Sequence, residues 1–226
     1  ERDINSPDGQ VRCHFSLSGG RITYSVYKNE RLIVRPSLLG FKICGEQSLG
    51  ENLKLILEQR KKHEEAIELP WGEDRYIPNN YNETAFYLTE KKEPRRIFTL
   101  RFRVFDNGVA FRYEIPPQPK FSKITLKDEL TEFNIDPNSR VWKIPAYQPD
   151  RYEYNYERTN VYALEHSVHT PLTIKTPNGC YLSIHEAALY NYGSMTIKLD
   201  ERHALTTDIT PLSDNTIAHV ELPFQT

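Results

Sequence analysis

The feature that most limits how this chain can fold is a pair of alternating runs around Asp106-Asn107-Gly108. Phe98, Leu100, Phe102 and Val104 alternate with Thr99, Arg101 and Arg103 on one side. Val109, Phe111, Tyr113 and Ile115 alternate with Ala110, Arg112 and Glu114 on the other. Strand side chains point to opposite faces with period 2, so each run has one apolar and one polar face. Asn-Gly accepts positive φ and is a strong hairpin signal between such runs. Residues 98–115 therefore read as an antiparallel hairpin. The same period recurs at Ile22, Tyr24 and Val26 and at Met195, Ile197 and Leu199, and residues 28–31 (KNER) read as a turn.

One segment carries two patterns. Leu49, Leu53, Ile56, Leu57 and Arg60 follow helical spacing, while Leu53, Leu55 and Leu57 form one strand face. Its strand-like neighbours favour the strand. Fifteen prolines cut the chain into short pieces, leaving little room for crossover helices. The residues thus predict an all-β, antiparallel sandwich. There is no repeat, low-complexity linker or dinucleotide-binding glycine motif, and no P-loop, nucleophile elbow or Ser-His-Asp pattern.

Length and charge narrow the function classes. A chain of 226 residues suits one large β domain or two small ones. Only 38% of it is hydrophobic, but 24 residues are Tyr or Phe, enough to fill a core. Lys and Arg (29) nearly balance Asp and Glu (31). That balance gives no electrostatic case for nucleic acid or an anionic membrane. Apolar runs are too short for a membrane-spanning helix, so no membrane insertion is expected. The polar opening ERDINSPDGQ carries no signal peptide, which implies either a cytosolic chain or a removed leader. Cys13, Cys44 and Cys180 fit no metal spacing and dictate no disulfide framework.

Four stretches carry candidate chemistry. Residues 71–83 (WGEDRYIPNNYNE) set Trp71, Tyr76 and Tyr81 among Asn79, Asn80, Asn82 and Glu83. Aromatic faces beside amides and carboxylates suit a sugar, whose C–H faces stack and whose hydroxyls hydrogen-bond. The same composition suits a polar loop anchored by its aromatics, the more frequent case. Residues 147–159 read as a Tyr-rich binding ridge or, preferably, as an edge strand with Tyr152, Tyr154 and Tyr156 on one face. His166 and His169 are close in sequence but have no third ligand nearby, a weak metal signal. The fourth is residues 183–193 (SIHEAALYNYG). Read as a strand, Leu182, Ile184, Glu186 and Ala188 share a face that is apolar except for Glu186. A carboxylate among aliphatic groups is costly unless paired, hydrogen-bonded or bound to a cation. Glu186 is then either paired with an Arg across the sheet, a hard-cation ligand or an acid–base group.

The ordered motifs SPDGQ, GRITYSVYKNERLIVRPSLLGFKI, WGEDRYIPNNYNET, RFRVFDNGVAFRYEIP, TPLTI and SIHEAALYNYGSM resemble the N-terminal domain of glycoside hydrolase family 97, bacterial α-glucosidases and α-galactosidases. The resemblance runs from about Ser6 to Thr226. It implies one domain over 1–226, an antiparallel β-super-sandwich like galactose mutarotase, followed in the family by a catalytic (β/α)8 barrel. The catalytic carboxyl pair belongs to the barrel, so no catalytic residue is expected here and the fragment alone should be inactive. The implied partners are that barrel and an α-linked oligosaccharide. By resemblance, Glu186 is a calcium ligand that completes a site with barrel carboxylates, and Asn80 and Glu83 belong to a substrate-facing loop. His185 departs from the small or polar residue usual before that glutamate. The resemblance also implies export to the periplasm or outer membrane, with the signal peptide removed. Two other functions compete with it. One is a free-standing carbohydrate-binding module. The other is a mutarotase-like aldose epimerase, which needs a His acid and a Glu base converging on one cleft. Adjacent strand residues such as His185 and Glu186 face opposite sides.

Overall fold

The structure is a computed structural model and describes residues 2–119, 121–149 and 153–226. It is all-β: among the described residues the helical content is one 3-10 turn, Val161–Ala163. Every strand pairing is antiparallel.

The predicted hairpin is present as Ile97–Phe105 and Gly108–Ile115, with Leu100 opposite Tyr113 and Phe102 opposite Phe111. Its turn differs from expectation. The two loop residues are Asp106 and Asn107, and neither enters the left-handed region, nor does Gly108. Contacts with the first strands hold the turn instead: Asp106 Oδ1 accepts from Asp8 N at 2.9 Å and its carbonyl accepts from Lys28 Nζ at 3.0 Å. The 28–31 turn follows expectation, with Asn29 and Glu30 both at positive φ between Arg21–Lys28 and Arg31–Leu38.

The hairpin sits in a five-stranded sheet ordered Phe224–Gln225, Gly108–Ile115, Ile97–Phe105, Tyr81–Glu90 and Leu53–His63. The ambiguous segment is thus an edge strand. A register shift between Leu55 and Leu57 explains its mixed pattern. The bulge inserts one residue, so Leu53 is buried, Leu55 half-buried, and Ile56 and Leu57 exposed. A four-stranded meander, Arg2–Asn5, Val11–Ser18, Arg21–Lys28 and Arg31–Leu38, packs on this sheet. Phe15 stacks on Phe86 with centroids 3.8 Å apart, and Phe102 meets both rings edge-on.

The expected single sandwich does not describe the rest. Among the described residues the other strands form one three-stranded and two four-stranded sheets and a two-stranded ribbon, so the pairing is divided among several sheets rather than two broad layers. Strands after residue 120 are mostly two to five residues long, too short to span one broad sheet. The all-β class therefore stands, while the pairing alone does not select the mutarotase-like arrangement. Of the proposed Tyr face, Tyr152 lies outside the described residues, and Tyr154 and Tyr156 precede the strand Glu157–Asn160 rather than lying on one.

Candidate functional site

Glu186 does not lie on a strand face. The strand Tyr181–Ile184 stops two residues earlier, and residues 185–194 loop out before the strand Met195–Leu199. Ile184 is opposite Leu172, the first residue of its partner strand, which follows Pro171. Proline has no N–H to extend the ladder, so residues 185–188 have nothing to pair with. The loop leaves Glu186 half-buried, with Oε1 accepting from Met195 N at 2.7 Å. Burial raises its pKa above the ordinary range, and the Met195 bond offsets part of that rise. His185 offers no facing acid: its Nδ1 lies 2.9 Å from the Glu186 carbonyl.

A second carboxylate stands near this loop. Glu129, at the end of Lys123–Glu129, accepts from Thr131 Oγ1 at 2.6 Å and from Tyr192 OH at 2.9 Å. Its pKa is raised, first by burial and then by Asp128 and Glu186. Among the described residues no Lys or Arg pairs with Glu129 or Glu186. The donor set suits a hard cation, yet it is incomplete. Calcium takes about 6–8 oxygens, and the described residues hold no group of three His, Cys, Asp or Glu able to bind a metal. Sequence periodicity concealed Glu129, because a register shift between Leu126 and Asp128 moves it to the face that simple alternation assigns to Asp128.

Asn80 and Glu83 sit elsewhere and are engaged in structure. Glu83 is 7% exposed on Tyr81–Glu90; Arg101 Nη1 donates to Oε1 at 2.7 Å and Arg103 Nε to Oε2 at 2.8 Å. Burial pushes its pKa up, and the two guanidiniums more than reverse the shift. Arg101 also forks onto Glu114 at 2.7 and 2.9 Å, and Arg112 joins Glu114 at 2.7 Å, forming one network across three strands. Both Glu83 oxygens are therefore occupied. Asn80 Oδ1 accepts from Glu65 N at 3.1 Å at the neck of the ribbon Ala66–Glu68/Tyr76–Pro78. Beside it His63 stacks on Tyr81 and lies 3.0 Å from Glu65 Oε2. Neither residue shares a hydrogen-bond partner with Glu186. His169 belongs to the short strand Val168–His169 and joins no metal cluster among the described residues.

Each of the two stretches also carries an aromatic side chain that faces solvent. Trp71, at the ribbon tip, is 84% exposed, and Tyr190, in the Glu186 loop, is 72% exposed. The sequence model of the family described as glycosyl-hydrolase 97 N-terminal matches residues 4–226. The chain belongs to that family. It is 24% identical over 208 residues to a retaining α-galactosidase of Bacteroides thetaiotaomicron, covering 88% of this chain and 30% of that protein. A probable retaining α-galactosidase of Streptomyces bingchenggensis is 30% identical over 141 residues, 62% of this chain and 21% of that protein. A family 97 enzyme of Pseudoalteromonas sp. strain K8, solved with panose, superposes with a TM-score of 0.93 at 30% identity. It is matched over 100% of this chain and 34% of its own. A β-arabinopyranosidase shares the fold at a TM-score of 0.89 and 20% identity. This family 97 N-terminal domain thus spans about a third of the length of the relatives it matches.

Proposed function

We propose that this domain is the non-catalytic first domain of a family 97 α-glycosidase, a mutarotase-like super-sandwich that packs on a catalytic barrel and completes its calcium site through Glu186. The observation that carries the reading is Glu186 itself. Within a family 97 N-terminal domain, its half-buried carboxylate stands on an irregular loop with one oxygen held by Met195 N and no cation beside it among the described residues. A carboxylate desolvated in this way favours a cation brought by another part of the protein. Calcium bound there would supply fixed positive charge beside the substrate, an α-linked galactoside or glucoside. Glu186 contributes one oxygen ligand, and Met195 N orients that carboxylate. The remaining ligands come from the barrel, as does the acid–base chemistry. The parent polypeptide is exported to the periplasm or outer membrane, which fractionation of the native cells would test. For the main reading, Glu186→Gln in the full-length enzyme should reduce activity and raise the calcium needed to restore it. Full activity at unchanged calcium would sink the reading.

A second reading, a sugar-binding module, is favoured by Trp71, whose exposed indole stands on a ribbon that contributes no residue to the core. Stacking on such a face is how aromatic residues hold sugar rings. Calorimetry of the isolated domain against maltose and melibiose separates the two: saturable heat, lost in Trp71→Ala, would favour the module.

A further inference from the structure

Residues 185–194 join two strands without any ladder of their own, so their order depends on individual contacts. Three are present. Glu186 Oε1 reaches forward to Met195 N. Gly193 lies so close to the end of Leu205–Ile209 that an added Cβ would fall 2.7 Å from Ile209 Cγ2. Tyr192 packs its ring against Phe224, centroids 5.7 Å apart, and donates its hydroxyl hydrogen to Glu129 Oε2. Glu129 is in turn fixed from the core. Gly40 N donates to Tyr113 OH at 2.9 Å, Tyr113 and Thr131 are 2.9 Å apart, and Thr131 donates to Glu129 Oε1 at 2.6 Å. Gly40 N donates to the Tyr113 hydroxyl and Thr131 spends its one hydrogen on Glu129, so Tyr113 gives its hydrogen to Thr131. The chain of donors runs in one direction, from the buried backbone to a carboxylate whose second oxygen holds the loop.

We infer that Glu129 is a positioning residue for the calcium site: through Tyr192 it fixes the loop that presents Glu186, and the inference rests on the calcium reading given above. The chemistry favours this over simple loop packing. Among the described residues no cation pairs with Glu129, and the like-charged Glu186 lies within electrostatic reach. Two neighbouring carboxylates disfavour one another until a cation joins them. A carboxylate also suits both of its donors, since it accepts from Thr131 on one oxygen and from Tyr192 on the other, where an amide would offer one acceptor and one donor.

The test uses the full-length enzyme freed of metal by chelation and titrated with calcium chloride in a calorimeter. Tyr192→Phe keeps the ring and removes one hydroxyl; Glu129→Gln keeps the shape and removes the charge; Glu186→Gln is the reference. Removing such an orienting partner typically weakens metal binding roughly 10–100-fold. That loss is expected for Tyr192→Phe and Glu129→Gln, with the metal-free melting temperature of Tyr192→Phe close to wild type. Should Glu129→Gln be too unstable to titrate, Tyr192→Phe decides alone. Wild-type calcium affinity in Tyr192→Phe, whether or not its melting temperature falls, would overturn the positioning role while Glu186→Gln still loses calcium. If Glu186→Gln also binds like wild type, the calcium reading fails and this inference with it.

Discussion

Glu83 and Glu186 are both carboxylates in partly apolar surroundings, and their neighbours move their pKa values in opposite directions. Burial raises both, but Arg103 and Arg101 bring Glu83 below its ordinary range, whereas Met195 N offsets only part of the rise at Glu186. A depressed folded pKa gives stability that is present above the unfolded carboxylate value, about 4.3, and lost as pH falls through the folded one. The melting temperature of the domain should therefore drop below about pH 4.5, and Glu83→Gln, which cannot titrate, should flatten that drop. The sign is reversed for Glu186: its contribution is present below the unfolded value and lost as pH rises through its raised pKa. Glu186→Gln keeps the acceptor for Met195 N and removes the penalised charge. Melts of the isolated domain at pH 7 should thus show it unchanged or slightly more stable; a clear loss of stability would show that the carboxylate is structurally required. Elsewhere Arg96, 1% exposed, pairs with Glu90, 2% exposed, and bonds the Gln47 carbonyl. Glu90→Ala removes the buried partner, leaves the guanidinium only Glu46 and the Gln47 carbonyl, and should cost about 3–5 kcal/mol in urea unfolding.

Among the elements, legibility followed regularity. The 97–115 hairpin was readable because its seven cross-strand pairs, Thr99–Glu114 to Phe105–Gly108, keep one unbroken register. Two bulges defeated the same logic. One, within Leu53–His63, turns Ile56 and Leu57 to solvent and makes an edge strand look part helical. The other, near Asp128, brings Glu129 inward and concealed the partner of Tyr192. Glu186 was legible as an anomalous acid, but its placement on a strand was wrong because Pro171 ends the partner ladder. Glu83 was legible as a polar residue near aromatics, while its cross-strand guanidinium partners depend on register that spacing alone does not supply. The edge-strand geometry gives a direct contrast: Leu53→Ala should cost about 2–5 kcal/mol, whereas Ile56→Ala should stay within about 0.5 kcal/mol of wild type. Equal losses at the two positions in urea unfolding would contradict the bulge. The ribbon 66–78 is exposed on all six strand residues, so replacing it with a short turn should leave the melting temperature nearly unchanged.

For the whole molecule, the chain matches the family's N-terminal model and spans about a third of the relatives it resembles, and on the proposed reading the catalytic groups lie outside it. The domain supplies a folded support and, on the proposed reading, one metal ligand with its positioning chain. Residues 1–226 alone should accordingly show no turnover of aryl α-galactoside or aryl α-glucoside above a heat-killed control. The role assigned to Glu186 is tested most directly in the full-length enzyme, by following the initial rate of aryl α-galactoside hydrolysis as calcium is restored to chelated protein. Wild type should recover activity at lower calcium than Glu186→Gln, with the two half-maximal concentrations at least roughly tenfold apart. Superimposable curves, or full wild-type activity with no calcium at all, would contradict a domain that completes the metal site.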